Sequence, residues 1–262
     1  MKSAPFIFVA IAAAGLTGCK EGESFDDWMP GKPKIENVWK APTEITDFTE
    51  LFKESCQGCH GFGKVGGAAI AMDNPTYLSI VTPERLTEVI THGVKGTTMP
   101  AFAIENGGLL TDEQIHILVE GILAGKGANP APAGPFPPYA APLGDPASGE
   151  KVYAEYLAAV LKREPKLALP EDPKVPREDF LTNFAFLDLV TDQYLRTLII
   201  SGHPEMGLLN WQEAIPGKPL SDQEIADLVA WIASKRLNEF GRPVPLPAAS
   251  PAPAAEPAPA QP

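Results

Sequence analysis

The sequence predicts an all-α chain built from two helical domains joined by a proline-rich linker. Three observations carry this. Apolar residues recur at three- and four-residue spacing in several stretches, each opened by a capping residue. Two of these stretches, near 74–122 and 183–232, repeat one another at an almost constant offset. The 29 prolines crowd into a few segments between and after them, where they break helix and central strand alike.

The chain opens with one positive charge at Lys2 and an apolar run, PFIFVAIAAAGL, over residues 5–16. About a dozen residues falls short of the roughly 20 that a spanning helix needs. A short basic start and a short apolar core followed by small residues describe a secretory signal. The ending Leu16-Thr17-Gly18-Cys19 resembles the bacterial lipoprotein signal, in which the cysteine is lipidated and becomes the mature N-terminus. The expected organisation is a signal peptide over 1–18 and a polar tether over 19–44, interrupted by Pro30, Pro33 and Pro42. A lipid on Cys19 would hold the protein on the periplasmic side of a bacterial membrane without spanning it.

Residues 48–60 read FTELFKESCQGCH. Phe48, Leu51 and Phe52 lie at helical spacing, so a short amphipathic helix leads into Cys56-Gln57-Gly58-Cys59-His60. This is the C-x-x-C-H pattern of c-type haem attachment. Two thiols three positions apart can each form a thioether to a haem vinyl group, and the adjacent imidazole reaches the iron. A redox dithiol would leave His60 without a role and lacks a surrounding βαβ pattern. A zinc site would need a second ligand pair at suitable spacing, which the sequence does not contain. A sixth iron ligand is available at Met99 in GVKGTTMPAF, a Gly/Thr/Pro-rich loop between helical stretches. Methionine opposite histidine raises the reduction potential. His92, at the end of a helix over 86–92, is the alternative, with His116 and Met72 behind it.

The closing segment LLTDEQIHILVEGILAG at 109–125 has Thr111 as N-cap and Gln114 three residues on, a capping box. Ile115, Leu118, Val119 and Ile122 fall on one face. With CQGCH and MPAF, this segment makes residues 45–127 resemble the class I cytochrome c domain. The resemblance implies one covalent haem c on Cys56 and Cys59, with iron held by His60 and Met99. It also implies that the closing helix packs across the N-terminal one, leaving one haem edge for electron exchange.

Residues 128–146 hold too much proline for a helix and read as a semi-rigid linker. Beyond it, Asn183–Thr191 parallels Asn74–Thr82 at an offset of 109, which also carries Leu86 to Leu195, Gly93 to Gly202 and Phe102 to Trp211. After a one-residue shift, PLSDQEIADLVAWI matches LLTDEQIHILVEGI, with Ser221 and Glu224 forming a second capping box. Residues 147–240 therefore read as a degenerate cytochrome-c-like domain. Leu208 and Leu209 stand for Met99 and Pro100, and Leu157, Val160 and Leu161 for Cys56, Cys59 and His60. No cysteine follows Cys59, so this half attaches no covalent haem. His203 and Met206, on one loop, are the minor alternative here, as holders of a non-covalent haem or a metal, and a structural or docking domain is the preferred expectation. A proline- and charge-rich insertion stands at 164–178, and 241–262 reads as a disordered Pro/Ala tail.

A net charge of −12 argues against nucleic-acid binding and favours redox partners with basic docking surfaces. The expected function is a monohaem carrier of single electrons between extracytoplasmic or membrane redox partners, with no catalysis of its own. The alternatives are a haem-based small-ligand sensor, a peroxidase-like enzyme, or a fixed subunit of a larger oxidoreductase complex.

Overall fold

The architecture follows from where helices can start and where they must stop. The computed structural model describes residues 39–62, 66–163, 180–204, 208–238 and 242–246. Cys19, the signal segment, nearly all of the tether, the 164–178 insertion, Met206 and most of the tail lie outside these, as do the side chains of Val160 and Leu161. Residues 1–41 form one unit, of which 39–41 are described, and residues 42–262 another.

In the larger unit the helices are α1 (Phe48–Ser55), α2 (Gln57–His60), α3 (Pro75–Ile80), α4 (Pro83–His92), α5 (Asp112–Ala124), α6 (Pro146–Arg163), α7 (Phe184–Leu187), α8 (Asp192–Ser201) and α9 (Asp222–Ala233). Among the described residues β-structure is limited to isolated bridges, so the fold is all-α, consistent with a cytochrome-c-like class. Side chains set the helix starts. The Asn74 and Asn183 side chains accept from the first turns of α3 and α7, and Thr82 and Thr191 do so for α4 and α8. Both expected capping boxes form, Thr111 with Gln114 on α5 and Ser221 with Glu224 on α9.

Two apolar clusters result. The first gathers Leu51, Phe52, Leu78, Leu86, Ile90, Leu118 and Ile122. The second gathers Tyr153, Tyr156, Leu195, Leu198, Ile225, Leu228 and Ile232. In each, a helix before the site region packs on the closing helix: α1 on α5, and α6 on α9. A glycine permits each crossing. A Cβ at Gly121 would stand 2.1 Å from the Phe48 ring, and one at Gly149 would stand 2.0 Å from the Asp227 carbonyl oxygen. The first helices differ in length. α1 ends at Cys56 after 8 residues, whereas α6 runs on for 18.

The two clusters interlock. α3 packs on α8, and the Asn74 side-chain amide donates to the Ser201 carbonyl at 3.1 Å. Ile70, from the first half of the sequence, is buried in the second cluster. The proline-rich stretch from 128 to 145 is a bound strap. Its backbone carbonyls have no ladder to join, so side-chain donors satisfy them. Arg196 reaches the Pro138 carbonyl, Gln193 the Tyr139 carbonyl at 2.7 Å, and Gln212 the Ala133 carbonyl at 2.6 Å. The Phe136 ring lies 5.2 Å from Trp211.

Candidate haem site

Cys56 closes α1 and opens α2, because the backbone bends there: Cys56 N–H still bonds to the Phe52 carbonyl, while Gly61 ends α2 at φ 73°. The short second helix places His60 four residues after Cys56. The His60 Nδ1 lies 2.8 Å from the Ile70 carbonyl oxygen. A carbonyl only accepts, so Nδ1 carries the proton and Nε2 keeps its lone pair, the arrangement of a metal-binding imidazole. Burial also pushes the His60 pKa down, partly offset by that hydrogen bond, which favours the neutral ring.

Of the two motif cysteines, Cys56 is buried and Cys59 exposed. Burial, with a smaller contribution from Cys59, pushes the Cys56 thiol up to about 11. Among the described residues no group of three or more His, Cys, Asp or Glu side chains is placed to hold a metal ion.

Met99 sits on a turn shaped by Gly93. That glycine ends α4 at φ +67°, a conformation that disfavours a side chain. A Cβ there would lie 2.5 Å from the Pro100 carbonyl carbon. Val94 N–H then donates to the Met99 carbonyl at 3.0 Å, and Met99 N–H to the Thr97 hydroxyl at 3.1 Å. The loop is thus held at both ends of the methionine. The turn after α8 shares part of this geometry: Gly202 has φ +72°, a Cβ on it would meet the Leu208–Asn210 backbone, and His203 N–H donates to the Leu208 carbonyl at 2.8 Å.

Cys56, Cys59, His60 and Met99 all line one cavity of about 300 Å³, at the lower end of the ~300–1,000 Å³ usual for cofactor sites. Its remaining walls in the first half are largely apolar, including Ile70, Leu86, Ile90 and Phe102. Met72 also lines it. His92 is exposed beside Asn106, and His116 pairs with Glu120 at 3.2 Å on the surface. His203 is buried but is not among the residues around this cavity. Sequence reasoning did not find Arg85, Tyr77, Tyr139 or the residues Phe186, Leu189, Val190, Thr191, Gln193, Tyr194 and Thr197, which line the cavity as well. The Arg85 Nε is shielded from solvent and has no hydrogen-bond partner among the described residues. Two thiols, a neutral imidazole, a thioether, apolar walls and an orphaned guanidinium N–H fit a flat apolar macrocycle that carries carboxylates.

Residues 43–120 match the family model for cytochrome c oxidase, cbb3-type, subunit III. A dihydro-heme d1 dehydrogenase from Pseudomonas aeruginosa is 39% identical over 69 residues, 26% of this chain, and the chain spans only 13% of that relative's length. A solved structure of a dihydro-heme d1 dehydrogenase is matched at 30% identity over 38% of this chain and 18% of that one, with a TM-score of 0.26. A chain of the Kuenenia stuttgartiensis reducing HAO-like protein complex is matched at 20% identity over 76% of this chain and 100% of that one, with a TM-score of 0.40. The family match supports a c-type cytochrome domain over residues 43–120, and with it haem c and a part in electron transfer.

Proposed function

We propose that this protein is a monohaem c-type cytochrome, anchored by lipid at Cys19 outside the cytoplasm, that passes single electrons between redox proteins. The observation that carries the reading is the convergence of Cys56, Cys59, His60 and Met99 on one cavity. Haem c supplies a one-electron ferric/ferrous couple. The chain's own residues do the rest. Cys56 and Cys59 tether the group, the Ile70 carbonyl holds His60 in the tautomer that presents Nε2, and the Gly93 turn presents the Met99 thioether. Apolar walls exclude water, and Arg85 offers a donor to a carboxylate. The Gly93–Met99 and Gly202–Leu208 turns, together with three pairs of caps at matching positions, support reading the second half as a duplicate without haem.

For a peroxidase-like reading, the described residues lining the cavity offer no Asp or Glu and no histidine besides His60, leaving Tyr77, Tyr139, Tyr194 and Arg85 among the polar groups. Absorption spectra and haem quantitation on the purified protein test the main reading. One covalent haem per chain is expected, with a methionine–iron charge-transfer band that Met99→Ala abolishes. A spectrum untouched by that substitution would remove Met99 as ligand. Cys19→Ser is expected to move the protein from the membrane fraction to the soluble periplasmic fraction on cell fractionation.

A further inference from the structure

The cavity that gathers the cysteines, His60 and Met99 is not closed by the first half alone. Phe186, Leu189, Val190, Gln193, Tyr194 and Thr197, all from the cysteine-free half, line it too. This wall is held firmly. Arg236 donates to the Leu187 and Val190 carbonyls and pairs with Asp192, fixing the turn between α7 and α8. The Gln193 amide is anchored on the Tyr139 carbonyl of the strap and on the Thr197 hydroxyl, while the Tyr194 hydroxyl reaches toward the Ala68 carbonyl at 3.5 Å. α8 also packs on α3 of the first half.

We propose that the haem-free half is a wall of the haem site, whose Leu189 and Tyr194 keep water from the cofactor and so set its reduction potential. The inference rests on the haem reading above. Ferric haem carries one more positive charge than ferrous haem, and a low-dielectric, water-poor surround disfavours the more charged state. Covering the cofactor with apolar and aromatic side chains therefore favours the ferrous form. Removing that cover admits water and favours the ferric form.

The test is a potentiometric titration of the loaded full-length protein, with the rate of reduction by a small soluble reductant as second readout. Tyr194→Ala and Leu189→Ala are expected to shift the ferric/ferrous equilibrium toward ferric by up to about tenfold, which is about 59 mV for one electron, and to speed reduction. Tyr194→Phe, which keeps the ring, and Phe184→Ala, an exposed residue of the same half away from the cavity, should keep the wild-type values. Wild-type values in both alanine variants with haem attached would overturn the proposal, as would an equal shift in Tyr194→Phe. If Tyr194→Ala does not fold, the half-exposed Leu189 decides. Absence of covalent haem from the wild-type protein would instead overturn the haem reading itself.

Discussion

Gly93 bears on the methionine loop in two ways, through its left-handed φ and through the closeness of the Pro100 backbone. Alanine at this position must either abandon φ +67° or push the 99–101 backbone away. Gly93→Ala is expected to destabilise the protein by about 1–3 kcal/mol and to weaken or lose the methionine–iron band, read by thermal melts and spectra of the loaded protein. The residues proposed as ligands stood out in the sequence because C-x-x-C-H and a methionine in a Gly/Pro-rich loop are local patterns. The Ile70 carbonyl behind His60 was not legible, since any backbone can supply a carbonyl and only folding decides which one arrives. Arg85 was equally silent, reading as one charge on an exposed face of α4 until the fold buried its Nε.

At the level of elements, the two capping boxes and the apolar spacing pointed to α5 and α9, because a cap satisfies orphan N–H groups within four residues of itself. The closing helices share this device but differ in charge. Glu224 N-caps α9 with Ser221, and its carboxyl is held below the ordinary range chiefly by the Ser221 N–H, with Lys218 adding to the effect. A carboxyl depressed in the folded state stabilises above its unfolded pKa, and that contribution is lost as pH falls through the folded value. Melting temperature should therefore fall more steeply on acidification in the wild-type protein than in Glu224→Gln. An identical acid limb in both would remove the carboxylate from the cap. On α5 the same position is Gln114, whose amide donates instead to the Pro42 and Ile45 carbonyls, so that cap carries no comparable acid sensitivity.

Over the whole molecule, the sequence parallel between the two halves was legible but the contact between them was not. Periodicity reports which face of a helix is apolar, and the same signal serves whether that face meets its own half, the other half or a cofactor. The strap illustrates this, since its prolines announced only that it would not be helical. Net charge acts at this scale too. With −12 overall, encounter with a basic redox protein is steered by long-range attraction that salt screens over about 8–10 Å. The second-order rate of electron exchange with such a protein, followed by stopped flow, should fall as ionic strength rises. A flat or rising profile would show that the docking face is not acidic.

The turn that bears Met99 is fixed by the left-handed Gly93, by the Val94 N–H on the Met99 carbonyl and by the Met99 N–H on the Thr97 hydroxyl. Its form is thus written in one glycine and in hydrogen bonds of the chain itself. On the haem reading proposed above, the arm that carries the methionine can set before any cofactor arrives, and only the Cys56–His60 side has to be joined.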